Sequence, residues 1–189
     1  RLSQIAPEVD RQKLADTLLQ QAKQLLRPPG TVHGKAERLT AAAIAACVVS
    51  DPAANKLLQK ALSRLPQALE QTVFADGSHA SRAPEQGMEL LLDLLTLDDA
   101  LAQVSEITPP AVADAISRLT IALRSQVLPD GRLSVFQGGG PSTVERVKAA
   151  RAHDEQTAAP PASMTGGLVR ICSPQLTVVM DVEAPASSS

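Results

Sequence analysis

The sequence predicts a mainly α chain, an array of helical hairpins followed by the first strands of an antiparallel β domain that stops short. Three observations carry this. Apolar residues recur at helical spacing as far as Val127; amphipathic helices alternate with helices that are apolar on most sides; strand-like runs appear only after a Pro/Ala/Ser/Gly stretch around residue 160.

Each element follows from its local pattern. A first helix is expected over about residues 8–27, with Val9, Leu14, Leu18, Leu19, Ala22, Leu25 and Leu26 on one stripe, ended by Pro28-Pro29-Gly30. The second, about 35–49, is Ala-rich and apolar nearly all round its C-terminal half. Asp51 suits an N-cap and Pro52 a first helical residue for the third, which carries Leu57, Leu58, Ala61, Leu62, Leu65 and Leu69 and is expected to kink at Pro66. The fourth starts at Pro84 and reaches about Val104, with Leu91, Leu92 and Leu95 on one face and Leu90, Leu94, Leu97 and Leu101 on another. Thr108 and Pro109-Pro110 open the fifth, whose stripe is Val112, Ala115, Ile116, Leu119, Leu123 and Val127.

A short helix over 143–152, capped by Ser142, comes next. Residues 154–167 read as a linker, and 168–172 and 176–182 as two strands around Ser173-Pro174-Gln175. Two strands do not hold themselves together in water, so the β part reads as truncated and the chain as a fragment. The expected organisation is a helical portion over 1–153, the linker over 154–167 and the start of a β domain over 168–189.

A helix apolar all round needs cover on several sides, which places the second and fourth helices in an inner layer. The longer connections, around His33, His79 and Phe136, are then expected at one end of the array. Two of them share a pattern: Val73-Phe74-Ala75-Asp76-Gly77-Ser78 and Val127-Leu128-Pro129-Asp130-Gly131-Arg132. One helical hairpin separates them, as a repeat array requires. Asp-Gly suits a tight turn with Gly at positive φ.

Composition narrows the function. The net charge of −2 with mixed signs gives no broad field for nucleic acid. The longest apolar stretch, 39–49, is too short to span a bilayer. No targeting segment is read behind Arg1. Cys47 and Cys172 have no ligand spacing and read as small buried apolar residues. With two Phe and no Tyr or Trp, there is no aromatic platform for sugars and no phenol for catalysis. No cofactor or metal is called for, and the oligomeric state is left open.

The segment Phe74-Ala75-Asp76-Gly77-Ser78-His79-Ala80-Ser81-Arg82-Ala83-Pro84, followed by Glu89-Leu90-Leu91-Leu92-Asp93-Leu94-Leu95, resembles the bacterial heparinase II/III-like family. So do Asp130-Gly131, the Phe136-Gln137-Gly138-Gly139 turn and the strand Val178-Val179-Met180-Asp181. The resemblance implies an incomplete (α/α) toroid leading into an antiparallel β-sandwich. It implies a polysaccharide lyase acting by β-elimination on uronate-containing chains such as glycosaminoglycans, in the cell envelope or periplasm, with the cytoplasm left open. Such a lyase needs a group that neutralises the carboxylate, a base and an acid.

On this resemblance His79 is the catalytic candidate, and Arg82, Gln86 and His33 are substrate-binding candidates for an acidic polysaccharide. Gln86-Gly87 stand where the family carries Tyr-His, and Val32-His33 where it carries Asn-His. Glutamine is neither base nor acid, so this chain alone is expected to be inactive.

Structural roles compete for the same residues. His79 also suits a turn that caps the following helix, Arg82 a salt bridge to Glu85 or Glu89, His33 a loop-to-helix cap, and Gln137-Gly138-Gly139-Gly140 a flexible bend. The rival function is a helical-repeat scaffold that binds a protein partner, favoured by the missing Tyr and Trp and the even surface charge.

Overall fold

The computed structural model describes residues 8–27, 34–154, 156, 160 and 162–184. In order the elements are α1 (Glu8–Leu25), α2 (Lys35–Val48), α3 (Pro52–Thr72), α4 (Pro84–Gln103), α5 (Pro110–Gln126), α6 (Val144–Ala150), β1 (Ala162–Thr165), β2 (Leu168–Cys172) and β3 (Thr177–Asp181). The fold is mainly helical with a small antiparallel sheet; a toroid is not shown. Two compact units divide within α3, α4 and α5: Arg1–Ala68 with Asp93–Val112, and Leu69–Leu92 with Ala113–Ser189.

In the first unit α1 and α2 pack together. The small side chains of Ala36, Ala42 and Ala43 are fully covered, as is Leu39 beside them. Leu58 and Leu65 of α3 and Leu94, Leu97 and Leu101 of α4 complete this core, each burial worth about 2 kcal/mol. Asp51 caps α3 as its sequence predicts, its Oδ1 accepting from Ala53 N–H at 2.6 Å. The helix runs on through Pro66 to Thr72. At the other end of α1, Arg38 of α2 donates to the carbonyls of Leu25 and Arg27, and Arg64 of α3 to that of Leu26.

The second unit is built on the repeated Asp-Gly loops. Val73 bridges to His79 and Val127 to Leu133. In the first loop Phe74 N–H donates to Ser78 O, Gly77 N–H to Phe74 O and Ala80 N–H to Thr72 O. In the second, Leu128 N–H donates to Arg132 O, Gly131 N–H to Leu128 O and Ser134 N–H to Gln126 O. Each Asp accepts from the N–H two residues on, at 3.0 Å in both loops, and the two glycines have φ of 80° and 81°. The same seven-residue hook thus follows α3 and α5. Here too arginines meet helix ends: Arg118 of α5 donates to the carbonyls of Val73 and Phe74, and Arg170 of β2 to those of Ser125 and Val127. A cation at a helix C-terminus satisfies orphan carbonyls and opposes the macrodipole.

The sheet has the order β1-β2-β3, antiparallel throughout. Its first strand, Ala162–Thr165, lies within the residues expected as linker. Gly166 and Gly167, both at positive φ, form a two-residue hairpin turn between β1 and β2. Leu168, Thr165 and Arg170 are buried, so the inner face of the sheet is covered and the ribbon is not left to hold itself together. The short helix is capped by Thr143, which accepts from Arg146 N–H, not by Ser142. The Ser142 hydroxyl instead accepts from Leu133 N–H at 3.0 Å.

Candidate functional site

The polar groups of the second unit converge on the β1–β2 turn and on Asp181 of β3. Asp76, at the tip of the first hook, accepts from Ser78 N–H and from the Ser78 hydroxyl at 2.6 Å, and its other oxygen takes Gly166 N–H at 2.7 Å. Partial burial pushes the Asp76 carboxyl upward. The Ser78 hydroxyl, Gly166 N–H and Ser78 N–H together outweigh it, and the group sits below its ordinary value. A Cβ on Gly166 would lie 2.7 Å from Ser78 Cβ, and one on Gly167 2.6 Å from Arg82 Nη2. Only glycine fits either position of this turn.

Arg82 follows the first hook. Its Nε donates to Gly166 O at 2.8 Å, while Nη1 reaches Ala184 O and Nη2 the Asp181 carboxylate. Gln137, after the second hook, donates its amide to the other Asp181 oxygen. Arg82 and Gln137 share an unusual backbone, with φ of 58° and 51°, a left-handed conformation that costs a side-chain-bearing residue about 1 kcal/mol or more. Both therefore leave their loops in the same strained way and end on the same carboxylate. Gln137 does most to hold the Asp181 carboxyl below its ordinary value, against some desolvation, with Glu183 N–H and Arg82 adding to it.

His79 is buried. Its Nδ1 accepts from Ser81 N–H at 3.1 Å and lies 2.7 Å from the Ser81 hydroxyl, and that hydroxyl in turn accepts from Ala83 N–H. The local chain before α4 is thereby closed. Gln86 is exposed on the first turn of α4, and His33 lies outside the described residues. Of the four residues singled out in the sequence, the structure brings together His79 and Arg82. They line a recess with Met88, Leu119, Gln126 and Thr165 whose free space is about 10 Å³, room for about one water and none for a sugar ring.

Neither Glu85 nor Glu89 pairs with Arg82. Glu85 accepts from Gly140 N–H and Glu89 pairs with Arg146. The glycine-rich bend is thus tied at Gln137 and Gly140. Cys47 and Cys172 are only half-buried, and burial, with Glu106 adding, pushes the Cys47 thiol up. Among the described residues no group of three or more His, Cys, Asp or Glu is placed to hold a metal ion.

Sequence reasoning missed Arg170 and Asp181. Arg170 is a lone charge in the apolar run Leu168-Val169-Arg170-Ile171-Cys172, the one signal that could have found it. A buried arginine needs acceptors, and helix-end carbonyls supply them.

The opposite face of the sheet has another chemistry. The register aligns Met164 with Val169 and Met180, and Ala162 with Ile171 and Val178. These side chains share the outer face, where Met164 is 68% and Ile171 55% exposed, with Met180, Val182 and Leu176 about half exposed or more. Among the described residues of the three strands, no charged residue lies on this face.

No family model matches the chain, and no solved structure matches it. The chain is similar to FtsZ-localized protein C of Caulobacter vibrioides, 38% identical over 196 residues, an alignment that takes in 96% of this chain and 34% of that protein. It thus spans about a third of that relative's length. This similarity corrects the resemblance to heparinase II/III-like proteins, which rested on one short segment and scattered turns. The polysaccharide lyase function, the acidic-polysaccharide partner and the cell-envelope or periplasmic placement drawn from that resemblance are overturned with it. The motif has a local explanation: Asp76 closes its own turn, His79 and Ser81 close the approach to α4, and Arg82 holds the sheet. Among the described residues no helix is long and apolar enough to cross a membrane.

Proposed function

We propose that this chain is a protein-binding scaffold that localises with FtsZ and binds it directly through the outer face of its sheet. The observation that carries the reading is that face: a contiguous apolar surface of Met164, Ile171, Met180 and Val182 in open solvent. An exposed apolar patch without charges marks an interaction site, and methionines adapt to a partner's shape. The similarity to a protein named for its localisation with FtsZ supports FtsZ as the partner. The first hook, Arg82 and the end of α5 hold the sheet. On this reading His79 and Arg82 act on the surface from beneath, by closing the first hook and holding β3, rather than on a substrate.

The test is binding of the purified chain to immobilised cognate FtsZ. The wild type is expected to bind, and the triple variant Met164→Ser, Ile171→Ser, Met180→Ser to bind at least tenfold more weakly with an unchanged melting curve. A triple variant that binds as the wild type does, or a wild type that fails to bind, overturns the reading.

A further inference from the structure

Among the described residues the sheet has a second unpartnered feature, independent of its outer face and of FtsZ: the edge along β3. Val182 N–H donates to Gly167 O at 2.9 Å and Ser173 N–H to Leu176 O at 2.8 Å. With the register of Cys172 opposite Thr177 and Leu168 opposite Asp181, these bonds set the alternation of the ladder. Val178 and Met180 bond to β2, while Thr177, Val179 and Asp181 turn their N–H and C=O groups away from it. Among the described residues none of these three N–H groups has a partner.

Sheet edges are ordinarily blunted by lysine, proline, a bulge or a covering segment. Residues 177–181 read Thr-Val-Val-Met-Asp, with no lysine, proline or glycine, and the register against β2 is unbroken. The only charge on the strand, Asp181, is turned inward to Arg82 and Gln137.

We infer that β3 pairs antiparallel with β3 of a second copy of this chain, about a two-fold axis at Val179. The strand is self-complementary in that register. Val179 faces Val179, so the two central residues exchange both hydrogen bonds, and Thr177 of each copy faces Asp181 of the other. All outward N–H and C=O groups of residues 177, 179 and 181 find partners. No like charges meet, whereas a parallel pairing in register would set Asp181 against Asp181. On the outer side Val178 faces Met180, so the two apolar faces join into one. A two-fold pairing of this kind uses the same patch twice and closes on itself.

The experiment is the mass of the chain in solution by sedimentation equilibrium, under reducing conditions, from micromolar to hundreds of micromolar. The wild type is expected to be a dimer in the upper part of this range. Val179→Lys and Val179→Glu, each placing like charges across the axis, are expected to weaken it at least 100-fold, and a one-to-one mixture of the two to restore a dimer. Far-UV circular dichroism checks that each variant is folded. Should position 179 not tolerate charge, Thr177→Pro removes an outward N–H at the first residue of the strand, outside the ladder to β2, and is expected to give a monomer. A wild type that stays monomeric throughout overturns the inference. So does a dimer that survives in the folded variants, or a mixture that stays monomeric.

Discussion

The two hooks, residues 73–79 and 127–133, have the same backbone and different neighbours. Both bridge a Val to the residue six positions on, both seat a glycine at a φ near 80°, and both Asp side chains accept from the N–H two residues later. Around the first, everything is fixed. Gly77 lies so close to α5 that a Cβ would come within 2.1 Å of Arg118 O, and Asp76 also holds Gly166 N–H. Around the second, a Cβ on Gly131 would meet only the Val144 side chain, at 3.2 Å, and Asp130 carries its turn bond to Arg132 N–H. Asp-Gly makes the turn in both places; the surroundings decide how much rests on it.

The largest expected contrast is at the glycines. Gly77→Ala combines positive φ with a clash against backbone and should destabilise the chain by about 3–4 kcal/mol. Gly131→Ala carries the same φ penalty against a side chain that can give, and should cost about 1–2 kcal/mol. Urea denaturation of both variants measures the difference. Equal losses would mean that the hooks are energetically alike.

Next in size is the pair that leaves the hooks for Asp181. Arg82→Ala removes contacts to Gly166 O, Ala184 O and the carboxylate, and should cost about 2–4 kcal/mol. Gln137→Ala removes one hydrogen bond and should cost about 1 kcal/mol. Because these contacts hold the sheet, amide exchange in β2 and β3 should accelerate in the arginine variant while α1 and α2 keep their protection.

The smallest effect is in acid. The Asp76 carboxyl is held below its ordinary value, so its contribution is fully present above the unfolded value near 3.9 and is lost as pH falls through the lower folded value. Asp76→Asn should therefore be less stable than the wild type at pH 6, with the gap narrowing as pH falls below about 4. A gap for Asp76→Asn that persists unaltered at pH 2 would remove the carboxylate from the account.

Much of the fold was legible because it is written in neighbours along the chain. The leucine stripes of α3 and α4, the Asp51-Pro52 start of α3 and the repeated Asp-Gly turn each depend on residues within one or two turns of each other. The missed features depend on distant ones. Ala162–Thr165 is only four residues long, and the Gly166-Gly167 turn that makes it a strand is just as much the composition of a linker. Arg82 has Glu85 and Glu89 nearby in sequence, yet its acceptors are about a hundred residues away, on β3 and beyond it. The lyase resemblance failed for a related reason. A short motif of turn-forming residues recurs wherever the same turn is needed, and here its members are engaged in closing that turn.

On the proposed function a partner docks on the outer face of the sheet. Hydrogen–deuterium exchange of the chain, alone and saturated with FtsZ, tests it most directly. Slowed exchange confined to residues 162–182 is the predicted result; protection that falls on α1 and α2 while the three strands exchange as in the free chain would contradict it.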